Sequence, residues 1–248
     1  YSGLIHDKPD KPDEPSMPQL SGCTIAFDLD GTLAETAGDM HTALNHVLVA
    51  EGLPPATLSD VRNFVGAGAR ALMIRAFGVH GIHHNDAMLD QLTEAYIAAY
   101  ALDISTHSTP FPGVVTALEK LKSFGATLCV CTNKRTDLSN QLLDALDLSQ
   151  HFAAVIGSDI PRNRKPHPDH YIAAIRAAHG DPARSLMIGD SSNDVQSAKA
   201  AGAPVVVYAY GYTDTAPDLL GADAVFKHFE ELPDLAVRIL NYQPIPRV

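Results

Sequence analysis

The sequence predicts an α/β protein: a doubly wound parallel sheet, Rossmann-like, with a small helical module inserted after the first strand. Two observations predict the core. Short runs rich in Val, Ile, Leu and Ala recur and are continuously apolar, as strands covered on both faces must be, and helical patterns alternate with them. A third observation predicts the insertion, because no strand-like run occurs between Ala34 and Ser108.

Residues 1–20 are Pro-rich, charged and aperiodic, which predicts a disordered arm. Met17 is the expected natural start, with residues 1–16 read as processing or non-native residues. "CTIAF" (23–27) is the first strand. Four helical patterns follow, near 38–51, 57–65, 69–77 and 85–102, and in the last of them Leu89, Leu92, Tyr96 and Ala99 share a face. The core resumes at 109. "GVVTALEKLKSFG" lays Val114, Leu118, Leu121 and Phe124 on one stripe and stops at a glycine. Strand "TLCVC" (127–131), helix "DLSNQLLDALDL", strand "AAVIG" (153–157) and helix "PDHYIAAIRAAHG" come next. Strand "SLMIG" (185–189), helix "SSNDVQSAKAAG" and strands "PVVVYAY" (204–210) and "AVF" (224–226) complete the pattern. A core over 21–33 and 109–248 is therefore expected, with 34–108 as a lid over the mouth of the first strand.

A net charge of −11 disfavours nucleic acid, whose binding rests on Lys and Arg replacing counterions. No apolar run approaches the about 20 residues of a membrane helix, so a cytoplasmic protein off the membrane is expected, as monomer or homodimer. Cys23, Cys129 and Cys131 all fall in strand-like runs without metal or redox spacing, and read as small buried hydrophobes in a reducing compartment.

In an open parallel sheet, ligands bind beyond the carboxyl ends of the strands. Collected there are Asp28 and Asp30, then Thr132, Asn133 and Lys134, then Ser158 and Asp159, and finally Asp190, Asn193 and Asp194, with Lys165 on the loop "RKPHPD". Bringing Asp28, Asp190 and Asp194 together costs on the order of several kcal/mol per close pair, so a cation must hold them. All-oxygen ligands suit Mg²⁺ rather than zinc. Lys165, the Thr132 hydroxyl and nearby backbone amides are the groups able to accept a phosphate.

"DLDGT", "TNK", "RKP" and "GDSSND", in this order and on these strand ends, resemble the four motifs of the haloacid dehalogenase superfamily of phosphotransferases. The resemblance spans about residues 23–230 and implies roles position by position. Asp28 is the nucleophile that becomes an aspartyl phosphate. Asp30 is the general acid and base. Mg²⁺ is held by Asp28, the Asp30 carbonyl and Asp190, with Asp194 in support. Thr132 and Asn133 orient the phosphoryl oxygens, and Lys165 links them to Asp28. The halide-removing members lack an aspartate at the Asp30 position, so the resemblance favours phosphate chemistry.

Within the lid, "NFVGAGARALM" (63–73) sets Gly66 and Gly68 between two helical patterns, either as a plain turn or as free amides that, with Arg70, bind the substrate's distal anion. The V-G-x-G pattern resembles phosphoglycolate phosphatases, which implies 2-phosphoglycolate as substrate. "LAETAGD" (33–39) departs from the Asp-Ser common after D-G-T-L in those enzymes. Residues 34–108 contain no lysine, which removes the Schiff-base chemistry of phosphonate-cleaving relatives. Other phosphatases of the superfamily, a pyrophosphate-cleaving one included, and a sugar-phosphate mutase of the β-phosphoglucomutase type remain alternatives, as does a non-catalytic binding module. His80, His83 and His84 read as a polar loop, His167 and His170 as surface or helix-start residues, and Asp90 with Glu94 as a solvated face.

Overall fold

The computed structural model describes residues 19–241. Most of the expected arm lies outside them, but its last residue does not behave as an arm: Leu20 is fully buried and its amide donates to Phe124 O (2.8 Å). The proline-rich composition ends at Pro18, and Leu20 joins the apolar cluster that holds Ile25, Phe27 and Leu121.

β1 (Thr24–Phe27) leads into a two-residue strand, β2 (Ala34–Glu35). Four helices come next: α1 (Ala37–Ala50), α2 (Leu58–Phe64), α3 (Ala69–Gly78) and α4 (Asp86–Leu102). β3 (Thr109–Pro110) then pairs antiparallel with β2, so outgoing and returning chains are stitched side by side where the helical segment joins the core. Strands and helices alternate thereafter as α5 (Val114–Ser123), β4 (Thr127–Cys131), α6 (Thr136–Ala145), β5 (Ala154–Ile156), α7 (Pro168–Ala177), β6 (Ser185–Gly189), α8 (Ser192–Ala200) and β7 (Val205–Tyr208). β8 (Ala224–Phe226) and α9 (Leu232–Asn241) follow.

The main sheet has the order β5-β4-β1-β6-β7-β8, with every pairing parallel. β1 is central, so Asp28 and Asp30 leave the sheet at its middle. Two apolar layers cover the faces. One carries Ile25, Phe27, Leu118 and Leu186; the other carries Ala26, Tyr171, Met187 and Val205. The three cysteines are buried and free, as small core residues should be.

Local chemistry sets the helix starts. Thr57 and Asp60 close a capping box on α2, Asn85 caps α4, Pro168 opens α7, and Ser191 with Asp194 form a second capping box on α8. The short β2–β3 ribbon and α9 are additions to the expected pattern. No described helix is long and apolar enough to cross a membrane.

Candidate active site

The Asp28 amide donates to Ile188 O (2.9 Å) and extends the β1–β6 ladder by one residue, which pins the first candidate carboxylate at the strand tip. The chain then turns at Gly31, whose φ of +83° belongs to the left-handed region. A side chain there would also meet Asp190 Oδ2 at 2.6 Å. Both aspartates are buried.

Lys165 reaches this point from the far side of β4. Its ammonium donates to Cys131 O (2.6 Å) and Asp194 Oδ1 (2.6 Å), and lies 3.0 Å from Asp28 Oδ1. His170 holds the loop from behind: its Nδ1 accepts from the Lys165 amide (3.2 Å), and Nε2 lies 3.0 Å from Ile156 O. That makes His170 a neutral ring with its proton on Nε2, buried in the core rather than at a surface. Its partner in the same loop, His167, does cap a helix start, as expected.

Asp190 Oδ1 accepts from Thr32 (2.8 Å) and Oδ2 from the Tyr212 amide (2.5 Å). Gly211 makes that approach possible, because any Cβ at 211 would overlap Asp190 Cβ at 2.1 Å. Asp194 Oδ2 accepts from the Ser191 amide (3.1 Å) and hydroxyl (2.7 Å), so the residue that starts α8 also aims its other oxygen at Lys165. Thr132 Oγ1 accepts from the Lys134 amide (3.2 Å), and Asn133 Nδ2 donates to Gly66 O (2.9 Å) and Lys165 O (3.1 Å). Asp159 accepts from Thr136 and serves α6, a structural role.

Asp28, Asp190 and Asp194 each offer one oxygen within 4.8 Å of the others, all three buried. Burial raises the Asp28 pKa to about 6; Lys165 opposes that, while Asp194 and Asp30 add to it. Asp190 is pushed well above the usual carboxylate range by burial and then by Asp194 and Asp28. Burial alone would lower Lys165, but Asp194 and Asp28 outweigh it and keep the ammonium charged. Asp28 Oδ1 is moreover buried without a hydrogen-bond partner among the described residues, despite its ion-pair distance to Lys165. Crowded, buried carboxylates with an orphaned oxygen fit a hard divalent cation with oxygen ligands.

A cavity of about 320 Å³ opens between these strand ends and the helical segment. Asp28, Asp30, Thr132 and Asn133 line it from the core, and Gly66, Gly68 and Arg70 from the helices, so these predicted residues share one space. Lys165, Asp190 and Asp194 sit behind that wall.

The turn at Gly66 combines both readings: the amides of Gly66 and Gly68 have no acceptor among the described residues, while the turn itself is tied down. Its carbonyl is held by Asn133 and Asn193 (3.1 Å), which anchors the turn to two core loops. Gly68 caps α3. Arg70 is paired with Asp86 (2.5 Å) and Asp90 (3.1 Å), and Glu94 faces Arg135 at 3.6 Å. Asp90 and Glu94 are largely exposed, as expected of a solvated face, and also border the cavity. A one-helix pattern shows the spacing of charges but not the partner that another element brings.

Three residues gain roles that sequence reasoning did not assign. Lys134 lies 2.9 Å from Asp30 Oδ1 and donates to Tyr100 OH (3.0 Å). Thr36 donates to the same Asp30 oxygen (2.8 Å). The Tyr212 hydroxyl accepts from the amides of Thr36 (2.7 Å) and Ala37 (3.0 Å) and donates to Glu35. For Lys134 the strand-end position was a signal; for Tyr212 nothing local was.

The comparisons agree with this geometry. A family model described as "Haloacid dehalogenase-like hydrolase" matches residues 25–208. A protein of Caulobacter vibrioides named phosphoglycolate phosphatase is 47% identical over 227 residues, covering 92% of this chain and 96% of its own. Another so named, from Agrobacterium fabrum, is 41% identical, with 83% and 88% covered. The crystal structure of a predicted phosphoglycolate phosphatase from Haemophilus somnus superposes with a TM-score of 0.80 at 28% identity, covering 89% of this chain and 99% of that one. Motif order, sheet topology and relatives thus converge, and the chain belongs to the haloacid dehalogenase-like hydrolase family.

Proposed function

We propose that the chain is a Mg²⁺-dependent phosphatase that hydrolyses 2-phosphoglycolate to glycolate and phosphate. The observation that carries the chemistry is the pair Asp28 and Asp30, opening on one cavity with Lys165 behind the first of them. The relatives named phosphoglycolate phosphatase support the substrate.

Asp28 attacks phosphorus in line, forming an acyl phosphate as the bond to the leaving oxygen breaks. Asp30 gives its proton to that oxygen and releases glycolate. A water then loses a proton to Asp30 and attacks the same phosphorus, freeing phosphate and restoring the Asp28 carboxylate. Thr132 and Asn133 orient the phosphoryl oxygens. Lys165, fixed by Asp194 and Cys131 O, balances the charge around Asp28. Asp28, the Asp30 carbonyl and Asp190 would hold Mg²⁺, with Asp194 in support, and the ion supplies neutralisation of charge on the transferring group.

Residues 34–108 act as the cap that closes this cavity. The hinge favours hydrolysis over transfer to a sugar: Glu35 bonds Tyr212 and Arg62, Thr36 bonds Asp30, and Asp39 holds the His107 amide and the Ser108 hydroxyl. None of these is left as a base for a second substrate group.

The test is initial phosphate release from a panel of phosphorylated metabolites, with and without Mg²⁺, using Asp28→Asn as the blank. A dominant, Mg²⁺-dependent rate on 2-phosphoglycolate is expected, with a loss on the order of 10⁴-fold or more in Asp28→Asn. Sugar-phosphate isomerisation without phosphate release would replace the hydrolase with a mutase.

A further inference from the structure

2-Phosphoglycolate carries a carboxylate separated from its leaving oxygen by a single CH₂. Whatever binds that carboxylate must therefore sit next to the proton donor, Asp30. Arg70, the expected partner, is bridged to Asp86 and Asp90 and is 37% exposed, so its charge is shared and screened by water. Arg135 is likewise bridged to Asp137 (2.8 Å) and faces Glu94 (3.6 Å). Lys165 is committed behind the wall to Cys131 O, Asp194 and Asp28. Arg164 makes no ion pair among the described residues but is exposed at the rim.

Lys134 remains. It lines the cavity, is only 9% exposed, and lies 2.9 Å from Asp30 Oδ1. An ammonium has three donors, and the structure gives this one two oxygen partners, Asp30 and Tyr100 OH. Two partners leave one of its three N–H groups over, on a side chain that lines the cavity. Tyr100 OH, which accepts from Lys134, keeps its own proton to donate; its ring packs 4.4 Å from the ammonium. Burial raises the Tyr100 pKa, so the phenol stays protonated.

We infer that Lys134 binds the non-reacting carboxylate of the substrate, with Tyr100 of the cap as second donor, and so sets specificity for short phosphorylated acids. The inference rests on the phosphoglycolate reading of the same site. A buried ammonium discriminates strongly, because a substrate without a carboxylate gives it nothing in exchange for water. Tyr100 belongs to α4 and Lys134 to the core, so the carboxylate is gripped from both sides of the cavity.

The experiment compares kcat/KM on 2-phosphoglycolate with that on ethyl phosphate, which has a similar chain and leaving oxygen but no carboxylate. Wild type, Lys134→Met, Lys134→Gln and Arg70→Gln are measured, with thermal unfolding to show that each variant folds. Lys134→Met is expected to lower the ratio of the two values by about 100-fold, mostly through KM for 2-phosphoglycolate, while Arg70→Gln changes it by less than about 3-fold. Should Met at this buried position prevent folding, Lys134→Gln reads the same ratio. An equal fall on both substrates would make Lys134 a partner of Asp30 only and overturn the inference. So would a ratio that collapses in Arg70→Gln instead. A wild-type enzyme without preference between the substrates would overturn the phosphoglycolate reading itself, and this inference with it.

Discussion

Asp28, Asp190 and Asp194 are residues whose charges work against folding until a cation joins them, and Lys165 is a buried ammonium wedged between two of them. Each was legible from its place after an apolar strand run. What those residues touch was not: His170 reads as a helix-start histidine and proves to be the neutral ring that positions Lys165. Burial lowers its pKa to about 4 from 6.5, with Lys165 adding to the effect. The unfolded chain thus binds the extra proton between these values, so His170 contributes stability that is present above pH 6.5 and lost as pH falls toward 4. That contribution is on the order of 3 kcal/mol. Urea midpoints measured from pH 7.5 to 4.5 should fall more steeply in the parent protein than in His170→Gln, which has no ring to protonate.

At the scale of elements, the helices that carry the site borrow their caps from the site itself. Asp194 starts α8 and orients Lys165. The α1 start has no side-chain cap of its own from Thr36, whose hydroxyl goes to Asp30, and Tyr212 from the loop after β7 accepts its first amides. The same residue's amide holds Asp190, so one residue ties a candidate metal ligand to the start of α1, where the helical segment leaves the core. Tyr212→Phe leaves the buried Thr36 amide unpaired, while the Ala37 amide keeps Glu35 Oε1 (3.1 Å), and should cost about 1–3 kcal/mol of stability. The thermal midpoint checks that cost. A fall in kcat on 2-phosphoglycolate beyond that of an equally destabilised core variant such as Leu235→Ala would show that hinge and metal site are coupled. Most elements were readable because long apolar runs and 3.6-residue stripes are strong signals. β2 and β3 have two residues each, too few for any period to show. α9 does show one in "LPDLAVRILN", where Leu232, Leu235 and Ala236 are buried, though it lies past the last motif.

For the whole molecule, a ligand that binds only the folded state stabilises it by mass action. The proposed Mg²⁺ would meet this condition, because the three aspartates come from distant parts of the chain: Asp28 follows β1, and Asp190 and Asp194 follow β6. At 100 times its Kd the ion should add about 2.7 kcal/mol, roughly 5–10 °C in the thermal midpoint for a chain of this size. Scanning calorimetry with Mg²⁺ and with EDTA should show that gap, and Asp190→Asn should close it.

The amino-acid sequence by itself determined the parallel sheet, the helical insertion and the candidate carboxylates at the strand ends. These follow from local quantities: apolar run length, helical period, and acidic residues where strands end. Only the tertiary structure decided which charges are available. Arg70 is neutralised by two aspartates of a neighbouring helix, Lys134 is buried beside Asp30, and Tyr212 spans from Asp190 to the hinge. A side chain's partners are set by packing between segments far apart in sequence, and no local pattern carries that information.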